Sequence, residues 1–185
     1  MISFVRFAGV VAVLFSLGLV VSAIPIDRIH ITAATGTDVV SRLCAKLVLE
    51  DKLEAKLKAL LSCTNVGDLK IQIAVVAVLF QNCADQLLTI GAGVQLDTNA
   101  THSLVACLIS IITVADGTSV RHFDAQIWYF RLRGIDDALR LFLVNIGICV
   151  DGLIGLVAKA LAKATVGVMA QIHLDLCLKV LGVTA

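Results

Sequence analysis

The sequence predicts an all-α protein: a bundle of about five to six mostly antiparallel, very apolar helices, stapled by disulfides. Three observations carry this. Hydrophobic residues make up 59% of the 185 residues, yet aromatics are only 5% and there is a single proline. A sandwich of many short strands would need far more turn residues. Beyond Thr37, apolar residues recur at three- and four-residue spacing, as on helices with one buried face. Six cysteines, an even number, are spread through the same region.

Residues 1–23, "MISFVRFAGVVAVLFSLGLVVSA", read as a secretory signal peptide. Arg6 provides the positive start, an apolar run follows, and Val21 and Ala23 fit the small-residue cleavage pattern. Loss of Arg6 would leave basic and acidic residues equal in number. Residues 24–37 are a leader of mixed polarity, and 38–185 form a single helical domain. Export places the cysteines in an oxidising compartment. It also gives meaning to the sequon Asn99-Ala100-Thr101, expected on a surface loop and glycosylated.

The first helical region is "DVVSRLCAKLVLEDKLEAKLKALLSC", with Thr37 or Asp38 as its cap. Val40, Leu43, Cys44 and Leu47 form one stripe, and Leu49, Leu53, Leu57 and Leu60 a second. At about 100° per residue the two do not align, so a break near Glu50 and Asp51 is expected. A second helix runs from Asp68, as cap, to Ile90, with its polar residues gathered near its end. "GAGVQLDTN" breaks the chain, and a third helix covers Ala100 to Val114. A fourth region starts near Val120, with an interruption at Gly134 and the acid pair Asp136-Asp137 as a new helix start. The long apolar run that follows has kinks expected at Gly147, Gly152 and Gly155, and "VGVMAQIHLDLCLKVLG" is the last helix.

The cysteines, Cys44, Cys63, Cys83, Cys107, Cys149 and Cys177, contain no CxxC, so neither a redox motif nor a zinc ribbon is present. Antiparallel hairpins would bring Cys149 level with Cys177 about a turn near Ala164, and Cys83 level with Cys107 about a turn near Val94. A straight helix would hold Cys44 and Cys63 roughly 28 Å apart, well beyond the ~7 Å between Cα atoms that a disulfide spans. That pair therefore needs a chain that folds back.

Two stretches share a pattern: "NCADQLLTIGAG" from Asn82 and "ICVDGLIGLVAK" from Ile148. Two steps along a helix rotate by about 200°, which sends Cys83 inward and Asp85 outward. Cys149 and Asp151 should separate likewise. A catalytic Cys–Asp pair is therefore not expected. The four histidines, His30, His102, His122 and His173, form no HExxH, and neither GxSxG nor GxGxxG occurs. No enzyme activity, cofactor or metal is expected. Nucleic acid is disfavoured by the balance of 15 basic against 14 acidic residues.

One surface candidate stands out. "RHFDAQIWYFRLR" holds the only Trp and Tyr, Trp128 and Tyr129, flanked by Arg121, Arg131 and Arg133. Amphipathic aromatics beside arginines favour a membrane interface or an anionic partner. The expected function is that of a secreted, non-enzymatic protein that binds lipid or another apolar ligand, or adsorbs at a cell-surface, cell-wall or membrane interface. An integral multi-pass protein of the secretory pathway is the alternative that the mean hydropathy of +0.98 raises. A secreted effector-like interaction protein is a third.

Overall fold

The computed structural model describes residues 30–117, 125–161 and 174–182, and of 116–117 and 125–132 the backbone alone. Among the described residues there are seven helices and no strand. Residues 1–29, where the signal peptide is expected, and Arg121 and His122 lie outside them.

Residues 30–36 form a strap without regular structure. It runs antiparallel to α4 (Thr98–Gly117). The Thr32 N–H donates to Ser110 Oγ at 3.0 Å and the Thr35 N–H to Ser103 Oγ at 2.8 Å. Helix α1 (Val39–Leu49) starts at Asp38, whose carboxylate accepts from the Ser41 N–H at 2.7 Å, as the sequence predicts. A Cβ at Gly36 would collide with the side chains of Asp38 and Ser41, so the approach to this cap needs glycine. The expected break after Glu50 is present. Lys52, rather than a glycine, takes the left-handed conformation at φ 54° and opens α2 (Leu53–Leu61). Leu53, Leu57 and Leu60 are buried, but Leu49, the last residue of α1, lies about 200° round from Leu47 and is 65% exposed.

Helix α3 (Val66–Ile90) begins earlier than the sequence predicts. Asn65 is its cap, accepting from the Asp68 N–H at 2.9 Å, and Asp68 answers by accepting from Asn65 Nδ2. Gly91 and Gly93 then turn the chain with positive φ. Asp97 caps α4 by accepting from the Ala100 N–H at 2.7 Å. The longer α4 absorbs Asn99 into its first turn, so Asn99 is exposed on a helix and not on a loop. Helix α5 (Ala125–Cys149) passes through Gly134 without interruption. The chain then turns at Gly152, φ 72°, into α6 (Leu153–Ala160). A Cβ at Gly147 would lie 2.7 Å from Ile154 Cγ1, so glycine permits this close approach. Helix α7 (Asp175–Leu181) follows.

The core is built around α3 and α5. These two helices run parallel, which corrects the expected antiparallel order. Ile73 lies beside Gly134, Phe80 stacks on Phe142 at 5.8 Å between ring centroids, and Asn145 Nδ2 donates to Ala84 O at 2.9 Å. Further along, Cys149 Sγ lies 3.2 Å from Leu87 O. Partners thus advance together along both helices. A parallel pair needs a return segment, and α4 supplies it, packing on α1, α2 and α6. The loop before α4 is pinned to the end of α5 by the Val94 N–H, which donates to Cys149 O at 2.9 Å. Helix α7 packs on α5 and α6.

Candidate functional site

The outer face of α3 is the most unusual surface among the described residues. Its inner face carries Leu69, Ile73, Val76, Phe80, Cys83 and Leu87, all buried. The opposite face changes character halfway along. Its first half shows Ile71, 62% exposed, Val75, 37%, and Val78, 55%. Its second half shows Asn82, Asp85 and Thr89, also exposed. At about 100° per residue these six fall on one face. Isolated exposed aliphatics are ordinary on soluble proteins, whereas a contiguous patch marks a contact surface.

The described backbone of the Trp- and Tyr-bearing segment sits at the same end of the molecule. Gly134 lies beside Ile73, and α5 runs parallel to α3. The backbone of residues 128–133 is therefore level with the first turns of α3. Arg133 is exposed, while the side chains of Trp128, Tyr129 and Arg131 lie outside the described set.

All six cysteines are free thiols, so the expected disulfide staples are not formed. For Cys149 and Cys177 the reason is distance. Cys177 Sγ lies 3.7 Å from Asp136 O, near the start of α5, while Cys149 ends that helix. Thirteen residues of helix are about 20 Å long, far more than a disulfide spans. The hairpin argument failed because α5 and α7 do not meet about a simple turn. Cys63 lies just past the end of α2, its sulfur 3.4 Å from Ala59 O, and like Cys44 it is a free thiol. Cys44, Cys83, Cys107 and Cys149 do share one part of the core. Burial pushes the Cys44 thiol well up, with Cys107, Cys83 and Cys149 adding to it. Burial also pushes Cys83 and Cys107 up to about 12. A thiolate is the reactive form, and burial disfavours it at these sulfurs, which pack in the core. Among the described residues no three His, Cys, Asp or Glu side chains converge as a metal site requires.

The paired motifs come apart in the same way. Cys83 is 3% exposed and Asp85 is on the outer face. Cys149 is buried, and Asp151 lies in the turn after α5. The two stretches are thus not structurally equivalent, since one is mid-helix and the other crosses a helix end.

Asp136 is the residue whose role the sequence missed. It is not a helix start but a buried position inside α5, beside exposed Asp137. Its carboxylate accepts from the N–H groups of Leu176 and Cys177, both at 3.1 Å. It thereby satisfies two open donors in the first turn of α7. The cap chemistry was legible; the helix it serves lies about forty residues away. Burial raises its carboxyl above the ordinary range, against the lowering effect of those hydrogen bonds. At the strap, partial burial of Glu54 opposes ionisation, but hydrogen bonds from Lys58, the Ile31 N–H and His30 outweigh it and lower its carboxyl.

Two open grooves, of about 420 and 440 Å³, lie among the described residues. The larger lies between α1 and the end of α3, beside Arg42, Lys46, Glu50 and Gln86. No protein-family model, characterised protein or solved structure matches the chain.

Proposed function

We propose that this is a secreted, non-enzymatic helical protein that adsorbs to a lipid or other apolar interface through the first half of α3's outer face. The observation that carries the reading is the exposed row Ile71, Val75 and Val78. Transfer of an exposed aliphatic side chain out of water is worth about 1–2 kcal/mol, so three in a row give a patch with real affinity for an apolar surface. The level placement of the Trp128–Arg133 segment adds an interfacial sequence at the same end.

Flotation with phosphatidylcholine vesicles tests this. The wild-type protein is expected to float, and an Ile71→Asp/Val78→Asp variant to lose at least about tenfold in partitioning, by the transfer energies above. Equal flotation of the variant, or none of the wild type, overturns the proposal. Carbonate extraction separates it from integral insertion, because an adsorbed protein is released and a spanning one is retained. The insertion reading is kept in play by α3 and α4, both long and apolar enough to cross a membrane.

A further inference from the structure

A second surface lies between α5 and α7. Arg133, Asp137 and Arg140 project from α5, and Leu176, Lys179 and Val180 from α7, around an open groove of about 420 Å³. Three cations face one carboxylate. The Arg140–Asp137 pair is loose, at 3.8 Å, with both side chains at least a third exposed. Arg133 and Lys179 are exposed. The floor is different, for Leu176 and Val180 are aliphatic and half-buried. The walls are held in register by Asp136, which fixes the first turn of α7 to α5 through two hydrogen bonds. A groove fixed in advance needs less ordering when a ligand arrives.

A cationic rim over an aliphatic floor is matched by one molecule with both characters. A bare oxyanion would leave the floor wet, and a neutral lipid would leave the cations without a partner. A carboxylate suits the planar guanidinium through paired hydrogen bonds, and the methylenes behind it suit Leu176 and Val180. We propose that this groove binds the carboxylate head and first methylenes of a single-chain fatty acid.

The proposal shares its lipid chemistry with the interfacial reading but occupies a separate surface. Ile71, Val75 and Val78 lie opposite the α3 residues that meet α5, namely Ile73, Phe80 and Ala84. Arg133 and Arg140 in turn lie well round α5 from Phe142 and Asn145, which meet α3. The two surfaces face apart, so each can be disabled alone.

Isothermal titration of the full mature chain with laurate, below its micellar concentration, tests the site against acetate and dodecanol. Laurate is expected to bind at least about tenfold more tightly than either, because acetate lacks the chain and dodecanol the charge. Arg133→Glu/Lys179→Glu should weaken laurate by at least about tenfold, and Asp137→Asn should tighten it. All three positions are exposed, and circular dichroism checks that the variants fold. Ile71→Asp/Val78→Asp should leave laurate binding unchanged even where it abolishes flotation. No laurate binding, equal binding of dodecanol, or indifference to the double charge reversal each overturns the proposal. Because Arg133 also ends the Trp128–Arg133 segment, Lys179→Glu alone separates the two readings: it should weaken laurate and leave vesicle flotation unchanged.

Discussion

Helices α3 and α4 are alike by composition and unlike in place. Their most apolar stretches have mean hydropathies of 1.6 and 1.5, yet 33% of the first is buried and 56% of the second. Helix α4 is enclosed by α1, α2, α6 and the strap. Helix α3 uses one face on the core and leaves the other open. Hydropathy reports how much apolar surface a helix has. Its neighbours decide how much of that surface is left for a partner. The same index therefore marks a core element in one case and a contact surface in the other.

The comparison can be broken or sharpened by experiment. The largest effect concerns the inner faces, which should be equally dry. Cys83 on α3 and Cys107 on α4 both stand near 12 through burial, so their thiolate fraction should fall about a thousandfold below that of an ordinary thiol. Maleimide labelling of the native protein, read by peptide mass, should modify half-buried Cys63 first. Early labelling of Cys107 would mean that α4 is not enclosed. Next come the truncations. Leu108→Ala, at a fully buried position of α4, should cost about 2–5 kcal/mol in urea unfolding. Ile71→Ala on the outer face of α3 should stay within about 0.5 kcal/mol. Equal costs would show that the outer face is covered.

The link from α5 to α7 gives a smaller effect. Asp136→Ala should cost about 1–3 kcal/mol by leaving two donors unpaired. Its pH dependence has a definite sign. Because the folded carboxyl is raised, its contribution is full below the unfolded pKa and fades as pH rises through the folded one. Asp136→Asn should flatten that part of the stability profile. Glu54 acts oppositely: lowered in the fold, it stabilises above its ordinary range and stops doing so as pH falls through its folded value. Last, Asn65→Ala on α3 and Asp97→Ala on α4 remove comparable caps and should each cost about 1 kcal/mol. A clear excess at one of them would show that its helix depends more on local than on tertiary support.

Much of the local structure was legible. Asp38 caps α1, the chain breaks after Glu50, and Cys83 and Asp85 part to opposite faces, because capping and helical rotation are set by near neighbours. The Asn99 helix and the Asn65 cap were missed because several polar residues near each end compete as starts. Lys52 was not foreseen as the turn residue, since left-handed backbone normally selects glycine. Direction was the deeper omission. Periodicity shows which face is buried but not whether the partner runs up or down, so the parallel pairing and the role of Asp136 stayed hidden. The Cys149–Cys177 pairing failed with it, whereas Cys83 and Cys107 do lie near each other, as free thiols. Of the candidate site, the Trp128–Arg133 segment was visible as composition. The row Ile71, Val75 and Val78 became a surface only once the core had taken the other face.

The parallel pairing also bears on how the chain is made. Its central contacts, Asn145 to Ala84 and Cys149 to Leu87, join residues 61 and 62 apart. Contacts of that span form late, after the entropy of closing a long loop has been overcome. A ribosome adding about 5–20 residues per second leaves the inner face of α3 without α5 for several seconds. Val76, Phe80 and Leu87 are then exposed together with Ile71 and Val78, so the first half of α3 shows aliphatic side chains on two opposite faces. A nascent helix of that kind is a substrate for chaperones, and the interval before α5 arrives is expected to be the stage at which this protein is most easily lost to aggregation.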